Sequence, residues 1–339
     1  MFKKNSLWSV TIALMLVLLV AAGCGGSNSN TPAAETGEPA QQTGAEASAN
    51  AAGGNSEGEA ETQKMTHSMG ETEVPLNPEK VVVLDNGALD NLLALGVTPV
   101  GAPSIIAVED GFASYLKGTE GITNIGTVEQ PSLETIASLK PDVIIGIKDT
   151  QEAIYEQLSQ IAPTVFTEVG GAEWEQNLAV HASITSKEEE GKKLLENLDK
   201  KIEELKSKVG DAINSTEVSL LRPRKDRVSV YLKPGFTGGV AEKIGLKRPA
   251  KQDRDDDFNF NVTEEQIADL DGDVIILFGR ESEQDYFNDK IKTNPLWQTL
   301  KAVKNDRVYS ADWEVWLSGH GIQAVNLMID DLAEYLAAK

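Results

Sequence analysis

The sequence predicts an α/β protein built as two Rossmann-like lobes joined by a single long inter-lobe helix. Short, uniformly apolar segments alternate with helix-period segments on both sides of the chain's middle, the pattern of parallel sheets covered on both faces. Residues 172–210 carry no strand signal, and Leu194, Leu198, Ile202, Leu205 and Val209 recur there at helical spacing. The stretch PSLETIASLKPDVIIG (131–146) returns as VTEEQIADLDGDVIIL (262–277), so a helix followed by a buried strand is built once in each half. At 339 residues the chain also exceeds what one core usually holds.

At the N-terminus, Lys3 and Lys4 precede an apolar run from Leu7 to Ala22 that ends in small residues, a secretion signal over residues 1–23 that is short for a membrane span. Cys24 is the single cysteine, so no intrachain disulfide can form. The run resembles a bacterial lipoprotein signal, although Ala21 stands where such signals usually have leucine. That resemblance implies cleavage before Cys24, lipidation of its sulfur, and acyl chains as the contact with the membrane. Residues 24–63 follow as an acidic tether: between 25 and 63 there are six glutamates and no lysine or arginine. As a flexible coil it would reach roughly 35 Å. A formal charge of −22 argues against nucleic acid or an anionic bilayer as a direct partner, while leaving room for a local cluster of cations facing an anionic ligand.

Residues 64–171 read as the N-terminal lobe. Val81 to Leu84 is a buried strand; Leu89, Leu92, Leu93 and Leu95 mark a helix stopped by Gly96; a short strand, the capped helix of the repeat, its DVII strand and QEAIYEQLSQIAPTVF complete it. The inter-lobe segment 172–210 reads as one long helix or two nearly continuous ones, with Ser186 and Glu189 spaced as a capping box. Residues 211–339 form the C-terminal lobe: two strands around a charged turn in EVSLLRPRKDRVSVYLKPG, a helix ending at Gly245, the second DVII strand, and an amphipathic helix from about Gly321.

Together NPEKVVVLDNGALDNLLALGVTPVG, PSLETIASLKPDVIIG, YEQLSQIAPTV, VSVYLKPGFTGGVAEKIGLKRP and VYSADWEVW resemble, in family order over about residues 65–339, the iron-siderophore substrate-binding lipoproteins of ABC importers. The resemblance implies a non-enzymatic receptor that holds an Fe(III)-siderophore in a cleft between lobes with little hinge motion and delivers it to a membrane permease. It implies a monomer without cofactor, iron held by the siderophore alone, and a position on the outer face of the cytoplasmic membrane. Haem or cobalamin capture by the same fold, and a secreted α/β enzyme, are the alternatives. Glu134 and Glu265 occupy equivalent first-turn positions of the repeat; a helix dipole alone favours carboxylates there, and the resemblance implies that the pair docks on arginines of the two permease subunits.

Ligands of open α/β sheets gather at the carboxyl ends of strands. Those ends offer Asp85, Asn86, Pro103, Ser104, Ile147 and Lys148 in the first lobe, and Tyr231, Lys233, Phe278, Arg280, Trp313 and Trp316 in the second. Arg222 matches an arginine that many ferric-siderophore binders use. The expected ligand-binding set is Arg222, Lys148, Tyr231, Trp313, Trp316, Asn86, Ser104 and Arg280, cations for chelate oxygens and aromatic faces for its linkers. The alternative places the aromatics in the core and the cations on the solvated rim. Thr150 and Gln151 stand where carboxylate-siderophore binders often carry an Arg-His pair, which implies a less charged chelate of hydroxamate or mixed hydroxamate-citrate type.

No metal site of the protein's own is expected. His67 and His181 lack ligand spacing, and His320 in LSGHG could enter the cleft, although a satisfied surface histidine is the preferred reading. Asp253, Asp255, Asp257 and Glu264 match a calcium loop, but Phe258 replaces the glycine its turn requires, so DRDDDFNFNVTE reads as an acidic solvated loop. KPGFTGGVAEK lacks the Lys-Ser/Thr ending of a phosphate-cradling loop, and no nucleophile elbow is present.

Overall fold

The computed structural model describes residues 61–105, 111–168 and 173–337; the expected signal peptide, Cys24 and nearly all of the expected tether lie outside the described residues. The first strand, β1 (Thr62–His67), pairs antiparallel with β2 (Gly70–Pro75), so strand structure takes in the last two residues assigned to the tether. Then β3 (Val81–Val83), β4 (Gly101–Ser104), β5 (Thr123–Thr127), β6 (Val143–Ile147) and β7 (Thr164–Thr167) form a sheet in the order β5-β4-β3-β6-β7. Every pair in it is parallel. Val81, Val83, Val143 and Ile145 enter one apolar cluster, and Val82 and Ile144 enter another. That alternation is why β3 and β6 have no polar face: helices cover both sides.

Two helices of this lobe fix the approach to the strand ends. In α1 (Asn86–Ala94) the Asp85 carboxylate caps the first turn, accepting from Ala88 N–H at 2.8 Å. In α2 (Leu133–Leu139) the Ser132 hydroxyl does the same for Thr135 N–H at 3.2 Å. The second copy of the repeat is looser. Residues Glu264–Leu270 form a 3-10 helix with a kink at Gln266, and Thr263 makes no backbone cap, its hydroxyl lying 3.4 Å from the Glu265 carboxylate.

The segment between the sheets is two helices, α3 (Trp174–Ile184) and α4 (Glu188–Val209). Ser186 breaks them with a left-handed φ of 54°, and its hydroxyl donates to Leu76 O, so the expected capping box does not form. With 22 residues, α4 runs for about 33 Å at 1.5 Å per residue. Glutamates fill its first turn and Lys206 and Lys208 its last, complementing the dipole. Leu198, Ile202 and Leu205 are buried, with Leu194 and Val209 packed against the same core.

The second sheet holds β8 (Val218–Pro223), β9 (Val228–Tyr231), β10 (Asn259–Val262), β11 (Val274–Leu277) and β12 (Val308–Ser310) in the order β10-β9-β8-β11-β12. Here β8, β11 and β12 are parallel, whereas β9 pairs antiparallel with both its neighbours, β8 and β10. The turn between β8 and β9 is far too short for a crossover, so a hairpin is the only connection open to it. The other departure is β10, because Asn259–Val262, within the stretch read as an acidic loop, pairs with β9 as an edge strand. Last come α5 (Phe236–Ile244), stopped by Gly245 at φ 83°, and α6 (Ile322–Tyr335).

The lobes meet where α1 touches the start of α6. Asp90, 0% exposed, accepts from Gln323 N–H at 2.8 Å, Ala324 N–H at 3.0 Å and Tyr115 O–H at 2.9 Å. The Asn91 side chain accepts from Ile322 N–H at 3.0 Å and lies 3.2 Å from His181 Nδ1. Residues of one lobe thus satisfy the orphan first-turn N–H groups of a helix in the other. The approach requires glycine at 321, where a Cβ would sit 2.4 Å from Asp90 Cγ.

Four groups near this joint, Asp85, Asp90 and His181 buried and His320 half-buried at the cleft, titrate in opposed pairs. Burial raises Asp85 to about 6 and Asp90 to about 7, and lowers His181 to about 3 and His320 to about 4. The acids keep protons in the fold that the unfolded chain releases above its ordinary value near 3.8, so each subtracts stability as pH rises through that window. The histidines stay neutral while the unfolded chain protonates below 6.5, so each subtracts stability as pH falls. The pairs offset one another. Asp90→Asn removes one acid and should make unfolding free energy fall more steeply with acid, by about 2 kcal/mol more than the parent between pH 6.5 and pH 4.5; urea titrations across that range measure the slope, and equal slopes would contradict it.

Candidate ligand cleft

The strand ends of both sheets open onto one cavity of about 610 Å³, within the range that holds a small organic ligand. From the first lobe come Asp85 and Asn86 at the head of α1, Ser104 and Ile105 after β4, Val128 and Glu129 after β5, and Ile147, Asp149 and Thr150 after β6. From the second come Arg222 of β8, Tyr231 of β9, Phe236 of α5, Phe258 and Asn259 at β10, Arg280 beyond β11, and Ser318 and His320 before α6.

Five of the eight expected ligand-binding residues are brought together here: Arg222, Tyr231, Asn86, Ser104 and Arg280. Arg222 grips Glu283 with two nitrogens, Nε at 3.3 Å and Nη2 at 2.9 and 3.1 Å, and the two side chains are only 12% and 17% exposed. Burial works against the Arg222 charge, but hydrogen bonds to Tyr231 and Glu283 raise its pKa above the ordinary value. Tyr231 packs edge-on against Phe278 at 5.1 Å. Arg280 crosses the cleft, donating to Ile105 O at 3.4 Å, with its guanidinium 4.9 Å over the Trp313 ring. Ser104 donates to Gly126 O at 3.2 Å.

The other three sit elsewhere. Trp313 lies behind Arg280 as its stacking partner. Trp316, 1% exposed, belongs to the core, donating from Nε1 to Asp331 at 2.7 Å and leaning on Phe278. Lys148 does not line the cavity and pairs with Glu168 at 3.2 Å. Glu134 and Glu265 are exposed and line no part of the cavity.

Several lining residues had a weaker signal. Of the two readings of His320 the structure has the cleft one: it lines the cavity, holds a φ of 60° between two glycines and meets the Phe236 ring edge-on at 5.0 Å. Phe258 stays 48% exposed at the lip, and its place inside an acidic run was the clue. Gln151 is 1% exposed and organises the floor, accepting from Ile147 N–H at 2.8 Å and donating to Val128 O at 3.0 Å and Leu84 O at 3.3 Å. Asp85 Oδ2 and Asn86 Oδ1 are buried with no hydrogen-bond partner among the described residues. The cavity therefore presents arginine donors and aromatic walls.

Comparison with known proteins places this geometry. The family model described as periplasmic binding protein matches residues 81–315. A probable siderophore-binding lipoprotein of Bacillus subtilis, YfiY, is 38% identical over 286 residues, covering 81% of this chain and 87% of that protein. The Fe(3+)-citrate-binding protein YfmC of the same organism is 30% identical over 337 residues, 97% of this chain and 96% of that one. Among solved structures, Staphylococcus aureus SirA complexed with staphyloferrin B superposes with a TM-score of 0.74 at 29% identity, covering 82% of this chain and 99% of that one.

Gln151→Ala should leave a buried N–H and two carbonyls unpaired at the strand ends and cost about 2 kcal/mol or more. Thermal and urea unfolding measure the loss, and a variant as stable as the parent would show that the floor does not depend on this side chain.

Proposed function

This chain belongs to the periplasmic binding protein family, and on that premise we propose that it is the substrate-binding receptor of an ABC importer, taking a ferric siderophore into the cleft between its lobes. One observation carries the reading: a single cavity joins the strand ends of both sheets and presents Arg222, Arg280 and a wall of aromatic rings. A ferric siderophore is an iron ion enclosed in oxygen donors and carried on apolar linkers. Guanidinium N–H groups suit those oxygens, and the faces and edges of Tyr231, Phe236 and Phe258 suit the linkers. The iron is cargo, coordinated by the chelate, and the family's members bind their substrates without transforming them.

The relatives named lipoproteins support an extracytoplasmic position, with Cys24 as the lipidated residue and the outer face of the cytoplasmic membrane as the site of action. Glu134 and Glu265, exposed on the first turns of the repeated units, would be the acidic contacts with a permease dimer, one from each lobe of a monomeric receptor.

A ferric siderophore should quench tryptophan emission saturably, the iron-free chelator should not, and Arg280→Ala should weaken binding by about tenfold or more. No saturable change with any ferric chelate would defeat the reading. Reversing both Glu134 and Glu265 to lysine should abolish iron-siderophore uptake by cells and leave binding by the purified protein unaltered; normal uptake would remove the docking role.

A further inference from the structure

Resting on that reading, we infer that Glu283, which does not line the cavity, is the residue that decides which charge class of chelate enters it. By neutralising Arg222 it restricts the cleft to ferric chelates of low net charge and turns away polyanionic ones.

The inference starts from the charges that face the cavity. Among the described lining residues the cations are Arg222 and Arg280, and the carboxylates are Asp85, Glu129 and Asp149. Glu283 shifts that balance further without occupying any of the space. It takes Arg222 Nε and Nη2 in a bidentate grip, inside a shell that leaves the arginine side chain 12% exposed. A pair so shielded from water is costly to separate, because pulling one partner away leaves the other charged and desolvated. Arg222 can therefore lend a ligand its remaining N–H direction but little of its charge.

Arg280 is constrained as well, stacked on Trp313 and bonded to Ile105 O. Both controls come from one tight turn: Glu281–Glu283 is a 3-10 turn with Arg280 as its N-cap, and Glu283 N–H donates to Arg280 O at 2.9 Å. The loop that supplies one cleft cation thus also supplies the acid that cancels the other. A neutral chelate leaves that charge balance unchanged. A trianionic complex instead sets its charge beside three carboxylates in a partly enclosed cleft, where water screens poorly.

The test compares two probes of defined charge, a neutral ferric trihydroxamate and a trianionic ferric tris-catecholate, titrated against the full chain and against Glu283→Gln and Glu283→Asp. The parent should favour the neutral chelate by about 100-fold. Glu283→Gln, which removes the charge and keeps the shape, should narrow that preference by about tenfold, through tighter binding of the trianion with the neutral chelate changed little. Glu283→Asp should retain the parent's preference, an outcome that a purely structural role for Glu283 would not give. A parent that binds both probes equally, or a preference unchanged in Glu283→Gln, overturns this inference and leaves the siderophore reading standing. Binding of neither probe also overturns this inference, and the siderophore reading falls with it when no other ferric chelate binds.

Discussion

The cleft depends on a joint made of backbone N–H groups. Helix α6 begins inside protein, where its first-turn donors cannot reach water, and the acceptors that satisfy them belong to α1 in the other lobe. Asp90 takes two of those donors and Asn91 a third. Sliding the lobes apart would strand all of them, each unpaired buried group costing on the order of 1–3 kcal/mol. Gly321 permits the contact by having no side chain where Asp90 already sits. Because α1 starts at the cleft floor and His320 stands just before α6, the joint also fixes the spacing of the two cleft walls. A ligand then meets a site that is largely preformed, and binding energy is not drawn off to order it.

On that rigid frame the electrostatics are a matter of local pairing. The chain as a whole is strongly acidic, and its cleft arginines are held by neighbours, Arg222 by Glu283 and Arg280 by the Trp313 face. Such side chains are oriented before the ligand arrives, so they discriminate by geometry and by residual charge more than they attract from a distance. The aromatic wall contributes area at little conformational cost, each ring having only two torsions to fix. A receptor that must later surrender its cargo is well served by such a mixture, since no single contact dominates.

Much of this was legible in the sequence, and the parts that were not have physical reasons. The first sheet announced itself because β3 and β6 are apolar on both faces, which only a doubly covered parallel strand tolerates. Edge strand β10 was hidden because it needs just one buried face and sits at the end of a run of aspartates. Trp313 and Trp316 look equivalent in WEVW, yet Phe278 and Asp331 enclose one while Arg280 lies over the other; those partners come from distant parts of the chain. His320 could enter the cleft or sit on the surface as far as its sequence shows, since a histidine among glycines suits a surface turn; the docking of that turn on α1 sets it at the cleft. Gln151 was noted for what it replaced, whereas its three hydrogen bonds make it a brace between strand ends.

Whether both lobes together enclose an iron complex whose metal never touches the protein is visible in crystals grown with a ferric siderophore and measured at the iron absorption edge. One anomalous peak is expected inside the cavity bounded by Arg222, Tyr231, Asn86 and His320, with siderophore oxygens filling the iron's coordination sphere. Iron bound directly by protein carboxylates or histidine, or a peak lying outside that cavity, would contradict it.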